Sequence, residues 1–215
     1  MVLSNLSGHG SEKLARGVER LSKIRALELW DRRLLGGIGT GTFAGLSQIH
    51  RHLFQDVYPF AGDVRAENIA KGSFRFAPVM YLDAALAHID GMPQGTFEEI
   101  VAKYVEMNVA HPFREGNGRS TRIWLDQIFK AELGVVVDWA AVDKGDYLLA
   151  MERSPIKDVE IRELLRAALT DRIDDRDVYM KGIDASYHYE GYNTYAMDEL
   201  DGLGELDRSD GGRRG

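Results

Sequence analysis

The chain has 215 residues, enough for one sizeable domain with at most a short appendage, and its 44% hydrophobic and 28% charged content is ordinary for a globular protein. It has no cysteine, which excludes disulfides and thiolate metal sites, and no stretch nears the about 18 apolar residues needed to span a membrane. A net charge of −7 argues against nucleic-acid binding, and the N-terminus lacks a basic region followed by an apolar one, so a cytoplasmic protein with no membrane or nucleic-acid partner is expected.

Gly36 to Gly41 is glycine-rich but lacks the Gly-x-Gly-x-x-Gly spacing and a preceding strand, and reads as a loop. Thr42 then precedes Phe43, Leu46, Ile49, His50, Leu53 and Phe54, an amphipathic helix with a polar start. It should end near Tyr58-Pro59, because proline disfavours helical geometry in the residue before it. His50 and His52 lie two apart on that helix, so they suit neither a metal pair nor a dyad; His50 is expected packed and His52 solvated. Residues 62–80 alternate apolar and polar around Lys71-Gly72, which predicts one short β-hairpin.

Thr96 and Glu99 form a capping box that opens a helical stripe of Phe97, Ile100, Val101, Tyr104, Val105 and Val109. The stripe places Asn108 beside it, just before His111. A second helix runs through Ile123, Trp124, Ile128 and Phe129 to Leu133, with Gly134 as its C-cap. Ser154-Pro155 reads as an N-cap and first helical residue ahead of Ile161, Leu164, Leu165, Ala168 and Leu169. Ser186 to Gly191 is an aromatic-rich helix whose Tyr187, Tyr189 and Tyr192 would pack on the core. Residues 198–215 hold six acidic residues, three basic ones and five glycines with little to bury, and are expected to be disordered or lightly docked. The predicted fold class is all-α with one hairpin, in three parts: a domain over 1–183, a C-terminal helix over 184–197, and the tail.

Chemistry concentrates between His111 and Arg122. Gly116 and Gly118 flank Asn117, so three consecutive residues tolerate left-handed geometry and could form an anion-binding nest. The helix that starts there adds its positive end, and Arg119 and Arg122, three apart, can present forked donors to phosphate. Glu115 amid this positive potential fits Mg²⁺, which takes one or two protein carboxylates and completes its shell with phosphate and water. His111 titrates near neutrality and could accept a proton from an attacking hydroxyl. Each feature alone is commonly structural; the combination within twelve residues is what points to nucleotide chemistry. Competing motifs are absent, with neither a P-loop nor a His-Glu-x-x-His.

His111 to Arg122 matches the signature His-x-Phe-x-Asp/Glu-Gly-Asn-Gly-Arg-x-x-Arg of the Fic family at every defined position, and Leu46 to Arg65 resembles the family's preceding helix and turn. The resemblance covers residues from about 15 to 180 and implies the Fic fold with a hairpin flap. It implies transfer of AMP from MgATP to a Tyr, Thr or Ser hydroxyl of a target protein, with pyrophosphate leaving. By that likeness His111 is the general base, Glu115 holds Mg²⁺, and Asn117, Gly116, Gly118 and Arg119 bind the α- and β-phosphates. Arg122 contacts the γ-phosphate, and Asn108 belongs to the nucleotide site. The hairpin would align a target segment by strand-like pairing. Lys71 could touch the nucleotide there, while as an exposed turn residue it reads as a solubility residue.

Related Doc-like proteins, which transfer the γ-phosphate, have Lys where Gly118 stands and usually lack the second arginine, so Gly118 and Arg122 favour AMP transfer. A mere binding module would be expected to have lost His111 or Glu115. Ser186 to Gly191 also resembles the family's inhibitory-helix motif, placed as in compact class III members. Glu190 would then pair with Arg122 while Ser186 anchors the helix. The same likeness implies homo-oligomerisation and self-modification of a helix tyrosine, Tyr187 by position with Tyr189 and Tyr192 as rivals. A type II topoisomerase subunit as target is an analogy only.

Overall fold

The computed structural model describes residues 9–72 and 74–201. Among the described residues the fold is carried by α1 His9–Asp31, α2 Phe43–Phe54, α3 Val79–Asp90, α4 Phe97–Ala110, α5 Asn117–Leu133, α6 Lys144–Arg153, α7 Val159–Ala167 and α8 Arg176–Tyr189. The expected hairpin is β1 Ala70–Lys71 antiparallel to β2 Phe74–Arg75, with Ala70 opposite Arg75. No helix among the described residues is long and apolar enough to cross a membrane.

Local chemistry sets the helix ends. The Thr42 hydroxyl accepts from Gly45 N–H to open α2, and Thr96 and Glu99 form the full capping box of α4. Gly134, at φ 66°, closes α5. The core lies around α5: Trp124, Ile128 and Phe129 pack with Leu46, Ile49 and Leu53 of α2 and Ile100, Val101 and Tyr104 of α4, all buried. Those apolar faces recur at helical spacing, so burial of one stripe per helix suffices to align the three helices. α8 then lies against α1, α5 and the short 3₁₀ turn Trp139–Ala141, and thereby closes over the start of α5.

Four expectations change. α2 ends at Phe54, four residues before Tyr58, because the chain leaves the helix through hydrogen-bonded turns from Val57 and Tyr58 N–H to Phe54 C=O. Ser154 is the C-cap of α6, its hydroxyl donating back to Met151 C=O, and α7 starts only at Val159. Pro155, with no N–H to continue the ladder, stops one helix instead of starting the next. Leu169 leaves α7 and joins β4 (Leu169–Thr170), antiparallel to β3 (Val136–Val137); two-residue strands leave no alternation to detect. His52 is not solvated, because α1 covers that face of α2 and places Glu28 3.5 Å from its ring nitrogen.

The C-terminal part is integral to the core. The expected boundary between 183 and 184 falls inside α8, whose Val178, Ile183, Tyr187 and Tyr189 are buried. Beyond it the chain is strapped to α1. Buried Glu19 accepts from Thr194 and Tyr195 N–H, and buried Lys23 donates to Tyr195 C=O and to Asp184. Residues 197–201 are helical with Met197 and Leu200 buried, and Arg176 grips Asp201, so the expected loose tail does not begin at 198. Its remainder, 202–215, lies outside the described residues.

Candidate active site

The site is built where α4 ends and α5 begins. The loop between them is closed by the Asn117 carboxamide, which accepts from Phe113 N–H at 2.8 Å and donates to Phe113 C=O at 2.6 Å. This side chain thus holds the loop, with one of its two amide N–H groups used in doing so. Phe113 is fully buried and stacks on His50 at 3.8 Å. His50 in turn accepts from Gly62 N–H and meets Glu115 C=O at 2.8 Å, which requires a neutral ring. Burial enforces this by pushing its pKa down to about 4.

The expected run of three left-handed residues reduces to one. Gly116 has φ 84°, and a Cβ there would lie 2.5 Å from the Phe54 ring; Asn117 and Gly118 already belong to α5. Both are the first residues of α5, which has no side-chain cap and turns its positive end to the site. Gly118 serves through its missing side chain: a Cβ on it would meet Glu190 Oε1 at 2.3 Å.

His111 caps α4 in left-handed geometry, φ 46° and ψ 63°. Its imidazole stacks on Phe76 of the hairpin exit at 3.7 Å, and its Nδ1 is buried without a hydrogen-bond partner among the described residues. Burial pushes its pKa down to about 3; Glu190 and the Asn108 carbonyl oppose the shift without offsetting it. The ring is therefore neutral and able to accept a proton. The Asn108 side chain, half-buried on the last turn of α4, makes no hydrogen bond among the described residues.

The two arginines are buried side by side but treated differently. Arg119 donates Nη2 to Glu115 at 2.9 Å and lies against the rings of Phe54, Tyr187 and Tyr192, with Nε and Nη1 without hydrogen-bond partners among the described residues. Arg122 engages four of its five N–H donors. Its Nε donates to Ser186 Oγ at 2.7 Å, Nη1 to the Tyr147 hydroxyl, and Nη2 to Ser186 C=O at 2.9 Å and Glu190 Oε1 at 3.2 Å. Burial alone would raise the Glu190 pKa, but Arg122, Lys71 and Arg119 outweigh it, and the carboxyl sits below the usual glutamate range. Lys71 approaches Glu190 Oε2 at 3.8 Å from the hairpin.

The end of α8 explains why Glu190 points inward. Gly191, at φ 89°, lets Tyr192 N–H reach Tyr187 C=O and its own N–H reach His188 C=O, a Schellman cap. That cap leaves Glu190 as the last residue over α5. Tyr187 is buried, hydroxyl included, so its modification would require α8 to move.

The structure thus brings together His111, Glu115, Gly116, Gly118, Arg119, Arg122, Ser186, Glu190 and, at the edge, Lys71. Nothing in the sequence singles out Tyr147, which shares Arg122, and Tyr192, read there as a packing residue, covers Arg119. It also quoted Arg65 only as part of a turn; its side chain reaches the carbonyls of Ala110 and His111.

Comparison with known proteins agrees with this geometry. Residues 42–129, from the N-cap of α2 through most of α5, match the model of the Fic/DOC family. It is 28% identical over 212 residues to the protein adenylyltransferase VbhT of Bartonella schoenbuchensis, covering 93% of this chain and 42% of that protein. The chain therefore spans about two fifths of that relative's length. It is 27% identical over 183 residues to a probable protein adenylyltransferase Fic of Salmonella typhimurium, covering 79% of this chain and 88% of the relative. Among solved structures, BepC of Bartonella tribocorum with bound AMPPNP superposes with a TM-score of 0.59 at 20% identity, over 74% of this chain and 87% of that one. The fold is that of a Fic domain.

Proposed function

We propose that this protein is a protein adenylyltransferase that moves AMP from ATP to a hydroxyl of a target protein and is restrained by its own Glu190. The observation that carries the reading is the neutral His111 imidazole on the short loop that leads into α5, whose open start carries two buried arginines. Relatives named protein adenylyltransferases support it.

His111 takes the proton as the target oxygen bonds to the α-phosphorus and the bond to the pyrophosphate oxygen breaks. The N–H groups at the start of α5 and the free donors of Arg119 would stabilise the charge on the α- and β-phosphates. Arg122 would serve the γ-phosphate once Glu190 leaves it. Glu115 fits Mg²⁺ by its donor chemistry: its carboxylate is 39% exposed and only Oε1 is engaged, by Arg119. A metal there would take its other ligands from phosphate and water. Such a metal would neutralise phosphate charge. Lys71 and the Phe76 ring place the hairpin beside the same site, where a target strand could pair with β1 or β2.

The test supplies ATP labelled at the α- or γ-phosphate to the wild type, Glu190→Gly and Glu190→Gly/His111→Ala. Label retained from the α-position only, strong in Glu190→Gly and lost with His111, is expected. Label from the γ-position only would make the protein a kinase, and ATP binding without transfer would make it a binding module.

A further inference from the structure

We infer that Arg65 is a positioning residue for His111, riveting the turn that presents the imidazole to the exit of the hairpin; this rests on the adenylyltransferase reading above. Arg65 is only 5% exposed and directs four of its five side-chain N–H groups to backbone oxygens. Its own N–H donates to Pro112 C=O at 2.8 Å, Nε to His111 C=O at 2.8 Å, and Nη2 to Ala110 C=O at 3.1 Å and to Ala77 C=O. Nη1 donates to Glu67 C=O at 2.7 Å. Three successive carbonyls at the end of α4 are thus held by one residue.

The need for such a rivet follows from the backbone. The last carbonyls of a helix have no partners within it, and His111 adopts left-handed geometry that costs a non-glycine residue energy and persists only where the surroundings enforce it. Burial lowers the Arg65 pKa, yet an arginine stays charged, so its bonds to the carbonyls are charge-assisted. The same guanidinium ties in Ala77, whose N–H donates to Val109 C=O and which directly follows Phe76, the ring stacked on His111. Arg65 therefore fixes both faces of the base, the chain that carries it and the ring that lies on it. A lysine could reach only part of this set, because its donors radiate from one nitrogen.

The experiment uses the full chain carrying Glu190→Gly, with Arg65→Lys and Arg65→Ala added. Self-labelling from α-labelled ATP at saturation should fall by roughly 10²-fold in Arg65→Lys, because a small misplacement of a catalytic group costs that much. ATP affinity by calorimetry should stay within about twofold. A folded Arg65→Lys that labels at the parent's rate overturns the inference, as does an ATP affinity that falls in step with the rate, which would mean general damage. Arg65→Ala should lose more than Arg65→Lys; if it does not fold, Arg65→Lys alone decides. If the Glu190→Gly parent labels nothing, the adenylyltransferase reading fails, and Arg65 is judged by NMR of the histidine rings. The His111 resonances should then shift in Arg65→Lys while those of His50 hold; unmoved His111 resonances would overturn the inference.

Discussion

Glu190 occupies the space that a side chain on residue 118 would fill: a Cβ built on Gly118 would lie 2.3 Å from Glu190 Oε1. The carboxylate thus lies directly on the first turn of α5, where the helix is positive, and also on Arg122. A methyl group at 118 and a carboxylate at 190 cannot share that space. Gly118→Ala should destabilise the wild type by about 1–3 kcal/mol, as overpacking does, yet be neutral or mildly stabilising in Glu190→Gly, where alanine simply suits a helix better than glycine. Denaturant unfolding of the four-member cycle measures the coupling. Equal effects in both backgrounds would mean that Glu190 does not rest on Gly118 in solution.

Arg122 is bound by Ser186 twice, by Tyr147 and by Glu190, so its loss should cost far more than the loss of any one partner. Arg122→Ala leaves the half-buried Glu190 without its nearest cation and removes a buried side chain, and about 2–4 kcal/mol of stability should go with it. Glu190→Gln keeps the shape and should cost about 1 kcal/mol or less. The thermal midpoints of the two variants check the order. Arg122→Ala should also fail to gain activity from added Glu190→Gly; full activity in that double variant would discard the Arg122 role.

The pH dependence follows from buried neutral groups. His50 is pushed down to about 4 by burial, so between roughly 6.5 and 4 the unfolded chain binds a proton that the folded one refuses. Stability is full above pH 6.5 and falls as the pH drops. His111, at about 3, acts in the same direction. Buried Asp126, pushed up to about 7, has the opposite sign: the folded protein keeps its proton as the unfolded one loses it, so this contribution declines from about pH 4 to 7. His50→Gln offers a donor and an acceptor without the titration. Between pH 7 and 4.5 it should lose about 2.5 kcal/mol less stability than the wild type; matching losses in urea unfolding would contradict the assignment.

Asn117 closes its loop with two hydrogen bonds to one residue. In Asn117→Asp the donor to Phe113 C=O becomes a second acceptor, and a buried repulsion replaces a bond. About 2–3 kcal/mol of stability should be lost, with ATP affinity reduced because the start of α5 is no longer fixed. Calorimetry with and without ATP separates the two effects.

The strap after α8 hangs on Glu19, which holds the N–H groups of Thr194 and Tyr195 and pairs with Lys23 at 3.3 Å. Glu19→Ala should free residues 192–197 and with them Tyr192 over Arg119. Limited proteolysis should then cut within this segment faster than in the wild type, while α4 and α5 remain protected. An unchanged cleavage rate would show that the strap is held elsewhere.

Much of this site was legible in the sequence because its parts lie close together along the chain. His111, Glu115, Gly116, Arg119 and Arg122 sit on one loop and one helix start, so spacing alone places them together. The pairing of Glu190 with Arg122 spans 68 residues and was legible only through the family likeness. What stayed hidden depends on chain segments that meet only after folding. Arg65 reaches carbonyls 45 and 46 residues away, and a backbone carbonyl carries no residue-specific signal. The role of Gly118 is set by a side chain from another helix, whereas Gly-Asn-Gly by itself suggests a turn. His52 read as solvated because nothing within α2 indicates that α1 covers it, and Ser154-Pro155 fits a helix end as well as a helix start.

The central claim is that Glu190 keeps Arg122 from the γ-phosphate. Calorimetric titration of ATP and ADP into the wild type and Glu190→Gly tests it most directly, because the two nucleotides differ only in the group Arg122 would hold. The wild type should bind ATP and ADP alike, and Glu190→Gly should prefer ATP by roughly 10-fold or more, the worth of a charge-assisted hydrogen bond. An ATP-to-ADP ratio that Glu190→Gly leaves unchanged would contradict the account.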